Sequence, residues 1–263
     1  MIKQKTLRTR RLFRKNNRAL VVAMDHARVF DTVTGLKDSN HVIRTVISAG
    51  ADAILTPYGS TIQAAEVLGN GGCWLSVDVT PETVVPIVET AIRLGVDGIK
   101  VEVYPWCTPE DDYFKRFSGT DSVLNAVCLA GECKKWGIPL MVESNPSGWP
   151  NTEMRTPEKV AAAARVASET GADFIKTFYT GDKKSFKVVL DNCSVPVLIL
   201  GGPKIDTDRA ILELVHDAMD AGAAGITMGR NIWGHANIGG ITTALSEIIH
   251  NDASVESAYR LIQ

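Results

Sequence analysis

Short apolar runs alternate with longer amphipathic stretches along this chain, and the alternation repeats eight times. The runs ALVVAMDH (19–26), ADAILTP (51–57), GCWLSVDV (72–79), GIKVEVYP (98–105), IPLMVESN (138–145), DFIKTFYT (173–180), VPVLILGG (195–202) and GITMGRNI (225–232) are rich in β-branched residues and read as strands. Between them, segments such as PETVVPIVETAIRLG and TPEKVAAAARVASETG place apolar residues three and four apart and end at glycine, which predicts helices. Four of these helices run into a similar corner, SAGAD, RLGVDG, ETGAD and AGAAG, as a repeated βα unit would. Eight such units in 263 residues, with no linker or change of composition, predict an α/β fold: one (β/α)8 TIM barrel spanning residues 1–263. A dinucleotide-binding sheet is disfavoured, because MDHARVFDTVTGL after the first strand lacks the GxGxxG turn.

Alternation along a strand sends successive side chains to opposite faces. In GIKVEVYP, Ile99, Val101 and Val103 then face the helices while Lys100, Glu102 and Tyr104 face the lumen. The same parity turns Asp25, Ser76, Asp78, Glu143, Asn145 and Lys176 inward. Unpaired charges in an apolar interior cost several kcal/mol or give up their charge, on the order of magnitude known for buried groups. A structural ion-pair network is the bland account of this cluster. An apolar interior would be the cheaper way to fill a barrel, so the polar lumen points to chemistry at the carboxyl ends of the strands.

Composition sharpens this picture only slightly. The chain is 45% hydrophobic and 22% charged, with a formal net charge of -2, and so carries no bulk field for nucleic acid or anionic lipid. The basic start, MIKQKTLRTRRLFRKNNR (1–18), is expected to form a solvated helix that caps the fold, since no other segment continues a basic surface. No apolar run reaches the length of a membrane-spanning helix, and a soluble, cytoplasmic protein is expected. Cys73, Cys107, Cys128, Cys133 and Cys193 are scattered and read as reduced thiols used as small apolar residues. Of the histidines His26, His41, His216, His235 and His250, only His26 falls at a strand end; no metal site and no cofactor are expected. His26, beside Asp25, either orients the site or is a satisfied histidine at the barrel mouth.

Two lysines directed at one space suggest amine chemistry. A neutral amine attacks carbonyls, and a neighbouring cation favours that neutral form. One lysine would form a Schiff base while the other lowers its pKa or holds substrate oxyanions. Proton transfers then require a carboxylate or phenol, for which Glu143, Asp25 and Tyr104 are the candidates. The ends of strands seven and eight carry Gly201 and Gly202, followed by a lysine, and Gly229 followed by Arg230. Loops at these positions often bind phosphate through backbone N–H groups and a helix N-terminus.

VVAMDH, ADFIKTFYTGD, LILGGPK and AGAAGITMGRNIWGH, in this order, resemble the segments of the class I aldolases grouped as the archaeal-type fructose-bisphosphate and DeoC/LacD aldolases. The resemblance covers nearly the whole chain. It implies that Lys176 is the Schiff-base lysine, that Asp25 is an acid/base or hydroxyl partner, and that Gly201, Gly202, Gly229 and Arg230 bind a substrate phosphate. It also implies a homo-oligomer acting on a small sugar phosphate. The family includes an autoinducer-processing thiolase and an aminodideoxyheptulosonate synthase, so the imine alone does not fix the substrate. One departure matters: the family's catalytic tyrosine lies in a Tyr-Pro-Arg-Gly segment, where this chain has Asn145-Pro146-Ser147-Gly148. Lys100 and Glu143 instead resemble residues of the tagatose-bisphosphate and sulfofructose-phosphate aldolases, which suggests that Glu143 with Lys100 takes over proton transfer.

The sequence therefore predicts a lyase that cleaves or forms a phosphorylated ketose, giving dihydroxyacetone phosphate or a related ketone plus an aldehyde. Rivals are a deoxyribose-phosphate aldolase, a thiolase-like or transaldolase-like transfer on the same imine, and a non-catalytic sugar-phosphate sensor. WCTPEDDYFKRFSGTDS, from Trp106, reads as a lid or an oligomer contact, and NPSGWPNTEMRTPE as a second lid.

Overall fold

The computed structural model describes residues 7–14, 16–26, 33–107, 119–147 and 153–262. Eight parallel strands, β1 (Ala19–Ala23), β2 (Ala53–Thr56), β3 (Gly72–Ser76), β4 (Gly98–Val103), β5 (Leu140–Ser144), β6 (Phe174–Phe178), β7 (Val197–Leu200) and β8 (Gly225–Met228), close into a barrel in sequence order. β1 pairs with β8 through Val21 and Thr227, which leaves no sheet edge. The structure is a single-domain (β/α)8 barrel, as the alternation predicts. No helix among the described residues is long and apolar enough to cross a membrane.

Strand parity divides the core in two. Leu20, Val22, Ile54, Leu75, Ile99, Leu140, Val142, Ile175, Ile199 and Ile226 are buried against the surrounding helices. Val21, Ala23, Ala53, Leu55, Trp74, Met141, Phe174 and Leu198 fill the lower lumen, together with Leu12 and Phe13 from the N-terminal segment. Phe13 stacks on Phe174 at 4.4 Å between ring centroids, and Trp74 meets Phe174 edge-on at 5.8 Å. The lower half is thus a solid plug, and the polar lumen begins one side-chain layer above it.

The repeated corners have a physical purpose. Gly95 and Gly222 close their helices with φ of 73° and 113°, a left-handed conformation that glycine adopts without a Cβ penalty. The aspartate that follows three of the corners accepts a backbone N–H from the preceding strand. Asp52 takes Leu20 N at 2.7 Å, Asp97 takes Cys73 N at 3.1 Å and Asp173 takes Leu140 N at 2.9 Å. The fourth corner has Ala224 in that place, and its backbone N–H donates to Val197 O at 2.7 Å.

The basic N-terminal segment differs from the expected solvated helix. Among its described residues it forms a single helical turn, Thr9–Leu12, and Arg8, Arg11 and Arg14 bind the same corners. Arg11 pairs with Asp97 at 2.5 Å, Arg14 with Asp52 at 2.6 Å, and Arg8 donates to the Val96 carbonyl. Side chains here spend their charge on buried acids while Leu12 and Phe13 seal the barrel floor. Strand eight is also shorter than GITMGRNI suggests: the chain turns at Gly229 into the helix Arg230–Trp233. A Cβ at Gly229 would collide with the Ala23 carbonyl and the His26 ring, so this close approach of β8 to β1 needs glycine. Most of the first proposed lid, at residues 108–118, and part of the second, at residues 148–152, lie outside the described residues.

Asp52 joins β1, the N-terminal segment and the last long helix, because its second oxygen also meets His250 Nε2 at 2.9 Å. Asp52→Ala would leave a buried histidine, an arginine and a strand N–H without their acceptor and is expected to cost about 3 kcal/mol. The measurement is the shift in urea midpoint at constant m-value; a change below about 0.5 kcal/mol would mean that the network contributes nothing net.

Candidate active site

Above the plug, the carboxyl ends of the strands surround a cavity of about 920 Å³, mouth included. Asp25, His26, Glu102, Tyr104, Glu143, Asn145, Lys176, Gly201, Gly202, Gly229 and Arg230 all line it. Their convergence follows in part from parity: Asp25, Glu143 and Lys176 lie two residues beyond the plug residues Ala23, Met141 and Phe174, Glu102 lies two beyond Lys100, and the rest lie just past the ends of their strands. Lys100 lies beneath the surface of this cavity and is fully buried.

Lys100 is the hub. Its Nζ lies 3.3 Å from Asp25 Oδ2, 2.5 Å from Glu102 Oε1 and 2.6 Å from Glu143 Oε2. An ammonium has three donors, and here it meets three carboxylates. Lys176 Nζ, 5% exposed as a residue, reaches the same Glu143 Oε2 at 2.8 Å. One carboxylate oxygen therefore touches both lysines. Ser76 Oγ donates to Asp25 Oδ2 at 2.6 Å, and Tyr104 donates its phenol proton to Glu102 Oε2.

These neighbours set the titration of the cavity floor. Burial pushes the Asp25 carboxyl up, but the charges of Lys100 and Lys176 and the Ser76 hydrogen bond outweigh it, holding the carboxyl below the usual range. The His26 imidazole is lowered as well. Burial, with Lys176, Arg230 and Lys100 nearby, lowers it from 6.5 to about 4 despite Asp25 at 4.0 Å. Its ring stands edge-on to Trp233 at 5.2 Å, and Trp233 Nε1 donates to Ala23 O at 2.9 Å. His26 is thus a neutral wall of the site at neutral pH.

At the opposite side of the cavity, Arg230 Nη2 donates to Gly202 O at 2.7 Å. Asn231 Nδ2 donates to Gly201 O at 3.0 Å and Pro203 O at 3.2 Å, which locks the loop after β7 against β8. The helix from Arg230 is a single turn, so the expected helix N-terminus adds little and the positive charge comes from guanidinium groups.

Two of the cavity's features escape the sequence pattern. Arg155 lines it, half-buried, with its guanidinium 4.5 Å over the Phe178 ring, and its charge is repelled by that of Arg230. Arg155 sits before the Thr156 cap of the helix Pro157–Glu169, outside any strand, so parity cannot find it. Thr227 is 1% exposed, lines the cavity, and its Oγ1 has no hydrogen-bond partner among the described residues. Asp78 is the correction: it is exposed and lines neighbouring clefts instead of this cavity. β3 ends at Ser76, and Asp78, two residues past that end as Asp25 is past β1, does not keep the inward direction. His235 pairs with Asp208 and His250 with Asp52, both in structural networks.

Comparisons with known proteins identify the family. The model of the DeoC/LacD family aldolases matches residues 19–235. The chain belongs to the DeoC/LacD aldolase family. It is 33% identical, over 97% of its length and 94% of the relative's, to the 2-amino-3,7-dideoxy-D-threo-hept-6-ulosonate synthase of Halobacterium salinarum. Among solved structures, an archaeal fructose 1,6-bisphosphate aldolase superposes with a TM-score of 0.79 at 26% identity, covering 93% of this chain and 98% of that one. An archaeal fructose-1,6-bisphosphate aldolase solved with its catalytic lysine covalently bound to the carbinolamine intermediate of its substrate matches at 0.76 and 27% identity, covering 92% and 98%. The family is that of class I aldolases, a lyase-type chemistry.

His26 makes a testable contribution to acid sensitivity. Its folded pKa of about 4 lies below the unfolded 6.5, so the unfolded chain binds a proton first and stability falls as pH drops from about 6.5 to 4. His26→Gln should remove up to about 3 kcal/mol of that loss. Urea titrations at pH 7 and pH 4.5 measure it; an unchanged difference between the two pH values would show that His26 titrates normally.

Proposed function

We propose that the chain cleaves or forms a phosphorylated ketose through an imine on Lys176, giving dihydroxyacetone phosphate or a related ketone plus an aldehyde. The observation that carries this is the Lys176–Glu143–Lys100 contact: a buried amine on the cavity wall with a carboxylate at 2.8 Å to take its proton, and a fixed ammonium on that same oxygen. Lys176 attacks the ketone carbon once Glu143 holds its proton, and the carbinolamine loses water when a proton returns to the departing hydroxyl. The iminium then acts as electron sink for breaking the carbon–carbon bond, while a carboxylate takes the proton of the reacting hydroxyl. Asp25, held ionised by Lys100 and Lys176, and Glu143 are the groups placed for that role.

Two guanidinium groups and the open Thr227 hydroxyl, across the cavity beside Gly201, Gly202 and Gly229, support a phosphate on the ketone half. The heptulosonate synthase among the relatives indicates that a different acceptor aldehyde can use the same kind of scaffold. A deoxyribose-phosphate aldolase or a ketol or acyl transfer differs in the donor, and a non-catalytic sensor would not form an imine at all.

Borohydride trapping with a panel of phosphorylated ketones, followed by peptide mass spectrometry, is the test. Dihydroxyacetone phosphate is expected to leave a reduced adduct on Lys176, and Lys176→Met to abolish it. Glu143→Gln should retain the adduct while kcat falls about 100-fold or more, in the range of general acid/base effects; full turnover would remove Glu143 from proton transfer. An adduct on Lys100 would move the nucleophile to β4.

Arg155→Met is expected to raise the half-saturating concentration of the phosphorylated ketone at least about tenfold, as loss of a charge-assisted contact should. Its half-saturation by unphosphorylated dihydroxyacetone should stay the same. Equal losses for both ketones would mean that Arg155 shapes the cavity without binding the phosphate.

A further inference from the structure

Tyr104 and Glu102 line two cavities at once. One is the central cavity, and the other is a narrow crevice, with room for about one water, between the ends of β3 and β4, bordered by Asp78, Ser122 and Asn125. Ser122 and Asn125 are buried on the helix Gly119–Trp136, while Asp78 is exposed at the crevice rim. Ser122 Oγ accepts the backbone N–H of Tyr104 at 3.0 Å, which holds the tyrosine where β4 ends. The polar wall between the cavities therefore consists of a phenol and a carboxylate already hydrogen-bonded to each other.

That pair is the outer end of an unbroken chain. Lys176 Nζ meets Glu143 at 2.8 Å, Glu143 meets Lys100 at 2.6 Å, Lys100 meets Glu102 at 2.5 Å, and Glu102 accepts from Tyr104. Each contact is within proton-transfer distance. Charge gives the chain something to do. Among the described residues, Asp25, Glu102 and Glu143 gather around Lys100 and Lys176, and a proton taken from Lys176 must rest on one of these carboxylates or be passed along the chain. A closed site in that state holds on to a proton near the attacking amine unless the proton can move away.

We propose that Tyr104 and Glu102 form a proton relay that connects Lys176 to the crevice between β3 and β4, with Tyr104 standing where the site lacks a phenol at Asn145. The inference rests on the imine reading above and adds to it the route of the proton. Lys176 gives one proton to Glu143; Lys100 passes one of its own protons to Glu102 and, with its lone pair freed, takes the one from Glu143. Glu102, once protonated, reverses its hydrogen bond to Tyr104 and gives a proton to the phenol oxygen as the phenol passes its own proton to water in the crevice. The same steps in reverse return one proton to the carbinolamine hydroxyl, which leaves as water. One proton goes out and one comes back for each iminium formed, so no oxidant, reductant or further reactant is needed. Tyr104 is a positioning residue in this scheme: it acts through Glu102.

The test uses the full chain with Tyr104→Phe, Glu102→Gln and the double variant, in rapid-quench borohydride trapping with dihydroxyacetone phosphate. Tyr104→Phe should reach the same final amount of Lys176 adduct, with half-saturation within about twofold of the parent, while the rate of adduct formation falls at least about tenfold. Its solvent deuterium isotope effect should exceed that of the parent, because proton delivery becomes limiting. Glu102→Gln should behave alike, and the double variant should be no more than about threefold slower than the slower single, as members of one relay are non-additive. A parental rate and isotope effect in Tyr104→Phe would overturn the relay while leaving the imine in place. So would a lower final amount of adduct at an unchanged rate, which would make Tyr104 a substrate-binding group. A parent protein that traps no ketone would overturn the imine and the relay together.

Discussion

Everything polar in this barrel is organised around one ammonium group. Lys100 has no exposure to solvent, and its charge is tolerable only because Asp25, Glu102 and Glu143 converge on it. The dependence runs both ways. Each carboxylate would be costly at that depth without the cation, and Asp25 stays ionised against burial because Lys100 and Lys176 stand beside it. The three acids come from or just beyond β1, β4 and β5, so the ammonium also fixes the relative positions of strands whose order is closed by the sheet itself. With that cluster in place, Lys176 has a proton acceptor at a defined distance.

The two halves of the lumen perform different work. The lower half is packed with Trp74, Phe174, Met141 and the Leu12–Phe13 plug, and the corner aspartates tie it to the N-terminal arginines. It is apolar, stacked and closed. The upper half carries the charges, and it keeps them only because the layer beneath excludes water and holds the strands still. Stability and chemistry are thus separated along the barrel axis, as the fold allows. Around the cavity a second separation appears: the carboxylate cluster lies around Lys100, while Arg155 lies over Phe178 at the end of β6 and Arg230 just past β8. A ligand with a reactive carbonyl and an anionic end matches that polarity.

Parity read from the sequence placed Lys100, Glu102, Tyr104, Glu143, Asn145, Asp25, Ser76 and Lys176 on the inner face, and the structure places them there. The method works because side chains on a strand have only two directions and the buried one is marked by charge among apolar neighbours. Past the strand ends it holds at some positions, such as Asp25 two residues beyond β1, and fails at others. Asp78 lies two residues past β3 and turns outward, Arg155 belongs to a loop, and the segment 229–232 becomes a helical turn because Gly229 must pass close to Ala23. The N-terminal arginines show the same limit in another form. Their charge suggested solvent exposure, but their partners, Asp52 and Asp97, are brought to them only by the closed barrel.

What the sequence by itself determined is the repeat: eight βα units, their glycine corners, the inward parity and the candidate amine chemistry, all of which are local properties of the chain. The tertiary structure decided which of those residues meet. That Lys100 and Lys176 share one oxygen of Glu143, that Tyr104 touches Glu102 beside a second crevice, and that Arg155 and Arg230 line one cavity depend on barrel closure and strand register. These are distances between residues far apart in the chain, and no periodicity of a sequence encodes a distance across a lumen.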